Sequence, residues 1–126
     1  MKKVETNEAP SAIGPYSQAV IHHDMVFTSG QIPLDPKTGA INGITIQEQT
    51  EQIMKNIKAV LIASGASFET VIKTTCFLKD MANFTAFNEI YSTYFVSKPS
   101  RSCVAVRELP KGVLAEVEVV AYVVET

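Results

Sequence analysis

A chain of 126 residues, 46% hydrophobic and 19% charged, has the size of one domain spanning residues 1–126 and apolar content enough for a core without staples, which excludes intrinsic disorder. With 11 basic residues against 13 acidic and a net charge of −2, it lacks the basic excess or stripe that phosphate neutralisation requires, which argues against a constitutive nucleic-acid binder. No window approaches the roughly 18 uninterrupted apolar residues of a membrane span, and Met1 to Pro10 has no apolar signal core, so the expected location is the cytoplasm and no membrane partner is expected.

In chain order, Ser17 to Thr28 alternates loosely around Asp24 and predicts a β-hairpin turning at His23-Asp24. Gln31 to Gly43 holds Pro33, Asp35-Pro36, Thr38-Gly39 and Asn42-Gly43, the dipeptides of a long ordered loop. Thr45 and Glu48 form a capping box. Ile46, Thr50, Ile53, Met54, Ile57, Val60 and Leu61 then recur at helical spacing, and Gly65 ends a helix over about 46–64. Val71 to Leu78 is rich in β-branched and aromatic residues and predicts a strand. Asp80 caps a second helix with the stripe Phe84, Phe87, Ile90, Tyr91, Tyr94 and Phe95, ended by Lys98-Pro99. Strands over Ser102 to Val106 and Leu114 to Val124 flank a turn at Pro110-Lys111-Gly112.

The order β-β-α-β-α-β-β on one core predicts an α+β sandwich, a mixed sheet with both helices on one face. In the last strand Ala115, Val117, Val119, Ala121 and Val123 point to the helices. Leu114, Glu116, Glu118, Val120, Tyr122 and Val124 point away, a face too apolar for open water and too charged for a core. With a mean hydropathy of +0.12, that face is expected to be a self-association surface containing a polar pocket.

Several residues could carry chemistry. Arg101, Cys103, Ala105 and Arg107 alternate along one strand, and the short turn predicts that this strand lies antiparallel beside the one carrying Glu116 and Glu118. Arg101 could then fork a planar carboxylate while an acid aligns water, or it could form a plain cross-strand salt bridge; from the residues alone the bland reading is favoured. Tyr16 could wall a pocket or hold its tip in water, Ser29-Gly30 could offer exposed N–H groups to an oxyanion, and Asn88 could face a cleft or solvent. Cys103 reads as a small hydrophobe rather than a nucleophile, and Cys76 and Cys103, with no CxxC, read as reduced thiols. His22 and His23 lack a ligand spacing, so no metal is expected.

The runs Ile13–Ala19 (IGPYSQA), Thr28–Gly39 (TSGQIPLDPKTG), Val71–Asp80 (VIKTTCFLKD), Pro99–Val104 (PSRSCV), Leu109–Gly112 (LPKG) and Glu116-Val-Glu118 together resemble the RidA (YjgF) reactive-intermediate deaminases over essentially the whole chain. The resemblance implies a chorismate-mutase-like fold, a homotrimer with pockets between subunits, and no cofactor. It implies hydrolysis of 2-aminoacrylate/2-iminopropanoate and 2-aminocrotonate/2-iminobutanoate to 2-keto acids and ammonia. Pyridoxal-phosphate serine and threonine dehydratases would supply these substrates. Arg101 would clamp the substrate carboxylate with help from the Cys103 backbone, and Glu116 would orient water. Tyr16, Ser29, Gly30 and Asn88 match pocket positions. A 2-keto-acid-binding regulatory module and an RNA-cleaving translation inhibitor stand as alternatives, the second opposed by the acidic pI of about 5.6.

Overall fold

The computed structural model describes residues 1–124. One six-stranded sheet carries β1 (Lys2–Val4), β2 (Ala19–His22), β3 (Met25–Thr28), β4 (Val71–Leu78), β5 (Ser100–Ala105) and β6 (Ala115–Tyr122), in the order β1-β2-β3-β6-β4-β5. Helices α1 (Ile46–Ser64) and α2 (Phe84–Tyr94) pack on one face. The architecture is the expected α+β one with a mixed sheet: only β4 and β5 run parallel, joined through α2. No helix among the described residues is long and apolar enough to cross a membrane.

Local chemistry explains the elements that periodicity predicts. Thr45 Oγ1 accepts the Glu48 N–H at 3.1 Å, and Glu48 Oε1 accepts the Thr45 N–H at 3.0 Å, so two orphan donors at the start of α1 are satisfied. At its end Gly65 takes φ 79°, where a side chain is disfavoured, and Ala66 N–H returns to Leu61 O at 2.9 Å. The stripe Ile53, Met54, Ile57, Val60 and Leu61 is fully buried against the sheet. His23 carries the tight turn of the β2–β3 hairpin at φ 56°. Asp80 caps a short 3-10 turn, Met81–Asn83, that leads into α2.

Three expectations need correction. An additional strand, β1, pairs antiparallel with β2 at the sheet edge; it is short and charged, and only Val4 is buried. The strand predicted over 102–106 runs from Ser100 to Ala105, leaving Arg107 exposed beyond its end. Most consequentially, β5 and β6 are not neighbours. The apolar, alternating β6 sits between β3 and β4, whereas the polar β5 takes the edge beyond β4. A central strand rewards the Ala-Val series of β6, and an edge tolerates the Ser-Arg-Ser of β5.

The long loop after β3 is moored to α1 by a buried amide. Asn56 Nδ2 donates to Ile32 O at 3.1 Å and Leu34 O at 3.0 Å, and Asn56 Oδ1 accepts from Gln52 Nε2 at 2.9 Å. Asn56→Ala strands these groups, at a cost of about 2–3 kcal/mol. The expected result is a thermal midpoint lower by roughly 10 °C, with limited proteolysis cutting first within residues 32–43.

Candidate active site

The sequence-predicted residues fall into two groups, on opposite faces of the sheet. Tyr16, Ser29, Gly30 and Glu116 line one concavity of about 890 Å³ together with Gln31 and Glu118. Asn88 and Arg101 line a second, of about 440 Å³, together with Tyr91 and Lys98. The registers settle the separation. Phe77 lies opposite Glu116 and Thr75 opposite Glu118, on the face away from the helices, whereas Thr74 is in register with both Val119 and Arg101, on the helix face. The expected Arg101–acid pairing within one chain is therefore absent, in its functional form and as a salt bridge, because β4 intervenes and the faces differ.

The first group is built by an irregularity. Phe27 pairs with Val120, so a regular ladder would set residue 30 against Val117; Gln31 sits there instead, exchanging hydrogen bonds with Val117 at 2.8 and 3.1 Å. One extra residue is thus accommodated, as in a bulge, and Ser29-Gly30 is pushed toward Glu116. A Cβ on Gly30 would meet the end of the Glu116 side chain, so glycine here lets Glu116 keep this seat, and a larger residue would displace it. Ser29 ties this corner to the Tyr16 segment, its Oγ donating to Ser17 O at 2.6 Å and its N–H to Gln18 O at 2.9 Å. The buried Gln18 amide in turn holds Thr6, Ala9 and Pro10, which fixes the entering chain. Tyr16 is half exposed at the rim.

In the second group Arg101 Nη1 donates to Asn88 Oδ1 at 2.7 Å. Arg101 Cζ lies over the Tyr91 ring, 4.7 Å from its centroid, and over that of Phe84 at 5.4 Å. Cys103 follows Arg101 along the outer strand. Val106 N–H points inward to Leu78 O, so period-two alternation turns the N–H groups of Arg101, Cys103 and Ala105 toward the open edge. Phe84 and Tyr91 were legible only as members of an apolar stripe; nothing in their spacing distinguishes a ring packed in the core from one whose face carries a cation.

Burial raises the pKa of both thiols, that of Cys76 to about 12, with Arg101 opposing the rise at Cys103. Both therefore stay protonated at neutral pH and neither is a poised nucleophile. Burial, and secondarily the Glu118 charge, raise the Glu116 carboxyl above its ordinary 4.5. No cluster of three or more His, Cys, Asp or Glu with metal-holding geometry occurs among the described residues.

Two hollows on the two faces of one mixed sheet, one beside a cation and one beside a half-buried acid, mark a small α+β protein with two candidate ligand sites. The chain belongs to the family described as Endoribonuclease L-PSP, whose model matches residues 6–123. It is 52% identical over 124 residues, 98% of each chain, to "Putative regulator AldR" of Lactococcus lactis. It is 46% identical over 126 residues, 96% of this chain and 97% of the relative, to "Putative reactive intermediate deaminase TdcF" of Escherichia coli K12. Among solved structures it is similar to E. coli TdcF with bound serine, with a TM-score of 0.92, 44% identity, and coverage of 97% and 98% of the two chains. The YjgF gene product from E. coli matches with a TM-score of 0.92, 40% identity and the same coverage. The RidA/YjgF resemblance and a deaminase role at the level of the family's relatives are thus supported.

Because the folded chain keeps the Glu116 proton to higher pH than the unfolded chain, ionisation of this group opposes folding once pH rises above 4.5. Glu116→Gln removes that opposition. Thermal melts between about pH 4 and 8 are expected to show the variant gaining on wild type as pH rises through the raised value; a difference independent of pH would contradict the assignment.

Proposed function

We propose that this chain is a hydrolytic deaminase of reactive 2-imino acids, acting at a site completed by a second copy. The observation that carries this reading is the split itself. A guanidinium with donors to spare and an outward Cys103 N–H suit a carboxylate, and a desolvated acid beside Gly30 suits water, but one chain holds them on opposite faces of its sheet. The mixed outer face supports association: Phe27, Val104 and Tyr122 are each more than two-fifths exposed. The family resemblance favours a homotrimer, whose cyclic symmetry would set the helix-side edge of one copy against the Glu116 concavity of the next and repeat that contact three times.

In this reading the substrates are 2-aminoacrylate and 2-aminocrotonate in their imine forms, released by pyridoxal-phosphate dehydratases. The Arg101 fork and the Cys103 N–H hold the carboxylate. Glu116 of the adjoining copy accepts a proton from water as its oxygen bonds to the imine carbon and the C=N π pair moves to nitrogen. Glu116 returns that proton to the nitrogen, giving the tetrahedral carbinolamine. It then takes the hydroxyl proton and passes it to the departing nitrogen as the O–H electron pair forms the C=O bond and the C–N bond breaks, releasing ammonia and the 2-keto acid. Imines of this kind are already electrophilic, so positioning and proton transfer suffice, and a carboxyl held above its ordinary value is suited to both directions of transfer.

A carboxylate-binding regulatory module is the second reading, favoured by the completeness of the Arg101 half without any acid. Cleavage of RNA is disfavoured by the net charge of −2 and the lack of a basic stripe.

The test generates the enamine in situ with a threonine dehydratase and follows its decay. Wild type is expected to accelerate it, and Arg101→Ala and Glu116→Gln each to fall at least 100-fold. Co-expressed Arg101→Ala and Glu116→Gln chains are expected to recover about a quarter of wild-type activity, since random assembly pairs an intact arginine with an intact acid at one interface in four. No recovery would place both groups in one chain's site. Retained 2-keto-acid binding with no acceleration by wild type would favour the regulatory module.

A further inference from the structure

An arginine on an edge strand has a long, freely rotating side chain, and a bidentate grip on a carboxylate requires its plane to be fixed. One face of α2 supplies two constraints. Asn88 and Tyr91 are three residues apart, hence neighbours on that face. Asn88 Oδ1 takes one guanidinium N–H at 2.7 Å, and Cζ lies over the Tyr91 ring, 4.7 Å from its centroid. Tyr91 is itself fixed. It is only 8% exposed, its ring packs on Phe95 with centroids 4.4 Å apart and on Phe87 at 5.8 Å, and its hydroxyl shares a 2.8 Å hydrogen bond with Thr74 Oγ1.

Thr74 closes the circuit. It is fully buried and is the register partner of Arg101 across the β4–β5 pair. The rung of the sheet that carries the arginine therefore also carries the clip for the ring beneath it. A phenylalanine over a valine would fill the same space without two buried hydroxyls. A hydroxyl pair in that position costs desolvation and returns orientation.

We propose that Tyr91, clipped to Thr74, is a positioning residue that sets the plane of the Arg101 guanidinium for bidentate capture of the substrate carboxylate. The inference rests on the reading of Arg101 as the carboxylate clamp. Of the five guanidinium N–H donors, Asn88 occupies one, which leaves the others for a carboxylate.

The test uses the full chain in the enamine assay with three variants. Tyr91→Leu removes ring and clip and is expected to raise KM about tenfold with kcat changed less than threefold, the pattern of lost uniform binding. Tyr91→Phe keeps the ring, loses the clip, and is expected to fall between wild type and Tyr91→Leu. In an Arg101→Lys background, Tyr91→Leu is expected to add almost nothing, because its effect travels through the guanidinium. Additive losses, or equal KM values in wild type and Tyr91→Leu, overturn the proposal.

Nitrogen relaxation at Arg101 Nε in the ligand-free proteins separates this proposal from the deaminase reading. A drop in order in Tyr91→Leu, smaller in Tyr91→Phe, supports positioning whether or not any imine is hydrolysed; equal order in all three overturns it. Absence of enamine turnover by wild type overturns the deaminase reading, and titration with 2-oxobutanoate followed at Arg101 Nε–H then decides whether the fork still serves a carboxylate.

Discussion

Strand β6 is held from both sides, by β3 and by β4, and period-two alternation then permits each of its residues one face only. Ala115, Val117, Val119 and Ala121 must face the helices, and all four are buried; Glu116 and Glu118 must face away. A one-residue slip would drive both acids into the core, so the burial of the Ala-Val series fixes the register. From that register follow the bridge of Gln31 to Val117, the displacement of Ser29-Gly30, and the seating of the Glu116 side chain against Gly30.

The same register makes the sheet a partition. Arg101 is committed to the helix face by its alignment with Thr74, and Glu116 to the other by its alignment with Phe77. Had β5 lain beside β6, the two charges could have neutralised one another in a cross-strand pair, leaving neither a free fork nor a desolvated acid. Separation keeps each group chemically available, and the Arg101 guanidinium engages an amide oxygen and two aromatic rings instead of a carboxylate. The constraint that parts the cation from the acid within one chain is thus also what keeps the two from neutralising one another.

Much of the framework is local and was legible. The capping box at Thr45 and Glu48, the glycine stop at Gly65, the turn at His23-Asp24 and the strand at Val71–Leu78 each depend on neighbours within a few residues. The alternation of β6 was legible for the same reason. Strand β1 was not, because a three-residue edge strand with one buried side chain has no periodicity to read. The candidate site residues were named from residue types in matching runs, but Tyr91 was hidden among the core aromatics. A ring stacked under a cation and a ring packed in a core present the same spacing.

The amino-acid sequence by itself determined the helices, the hairpin, which face of β6 is apolar, and the family to which the chain belongs, since these reside in short-range patterning and in ordered motifs. Strand order it left open: a short turn at Pro110-Lys111-Gly112 permits β5 and β6 to be neighbours, yet the sheet inserts β6 between β3 and β4, where its Ala-Val series is buried, and sends β5 to the edge. Such pairings join residues far apart in the chain, and their selection is a matter of burial summed over the whole sheet rather than of local preference. Only the tertiary structure therefore decided that the cation and the acid face opposite ways.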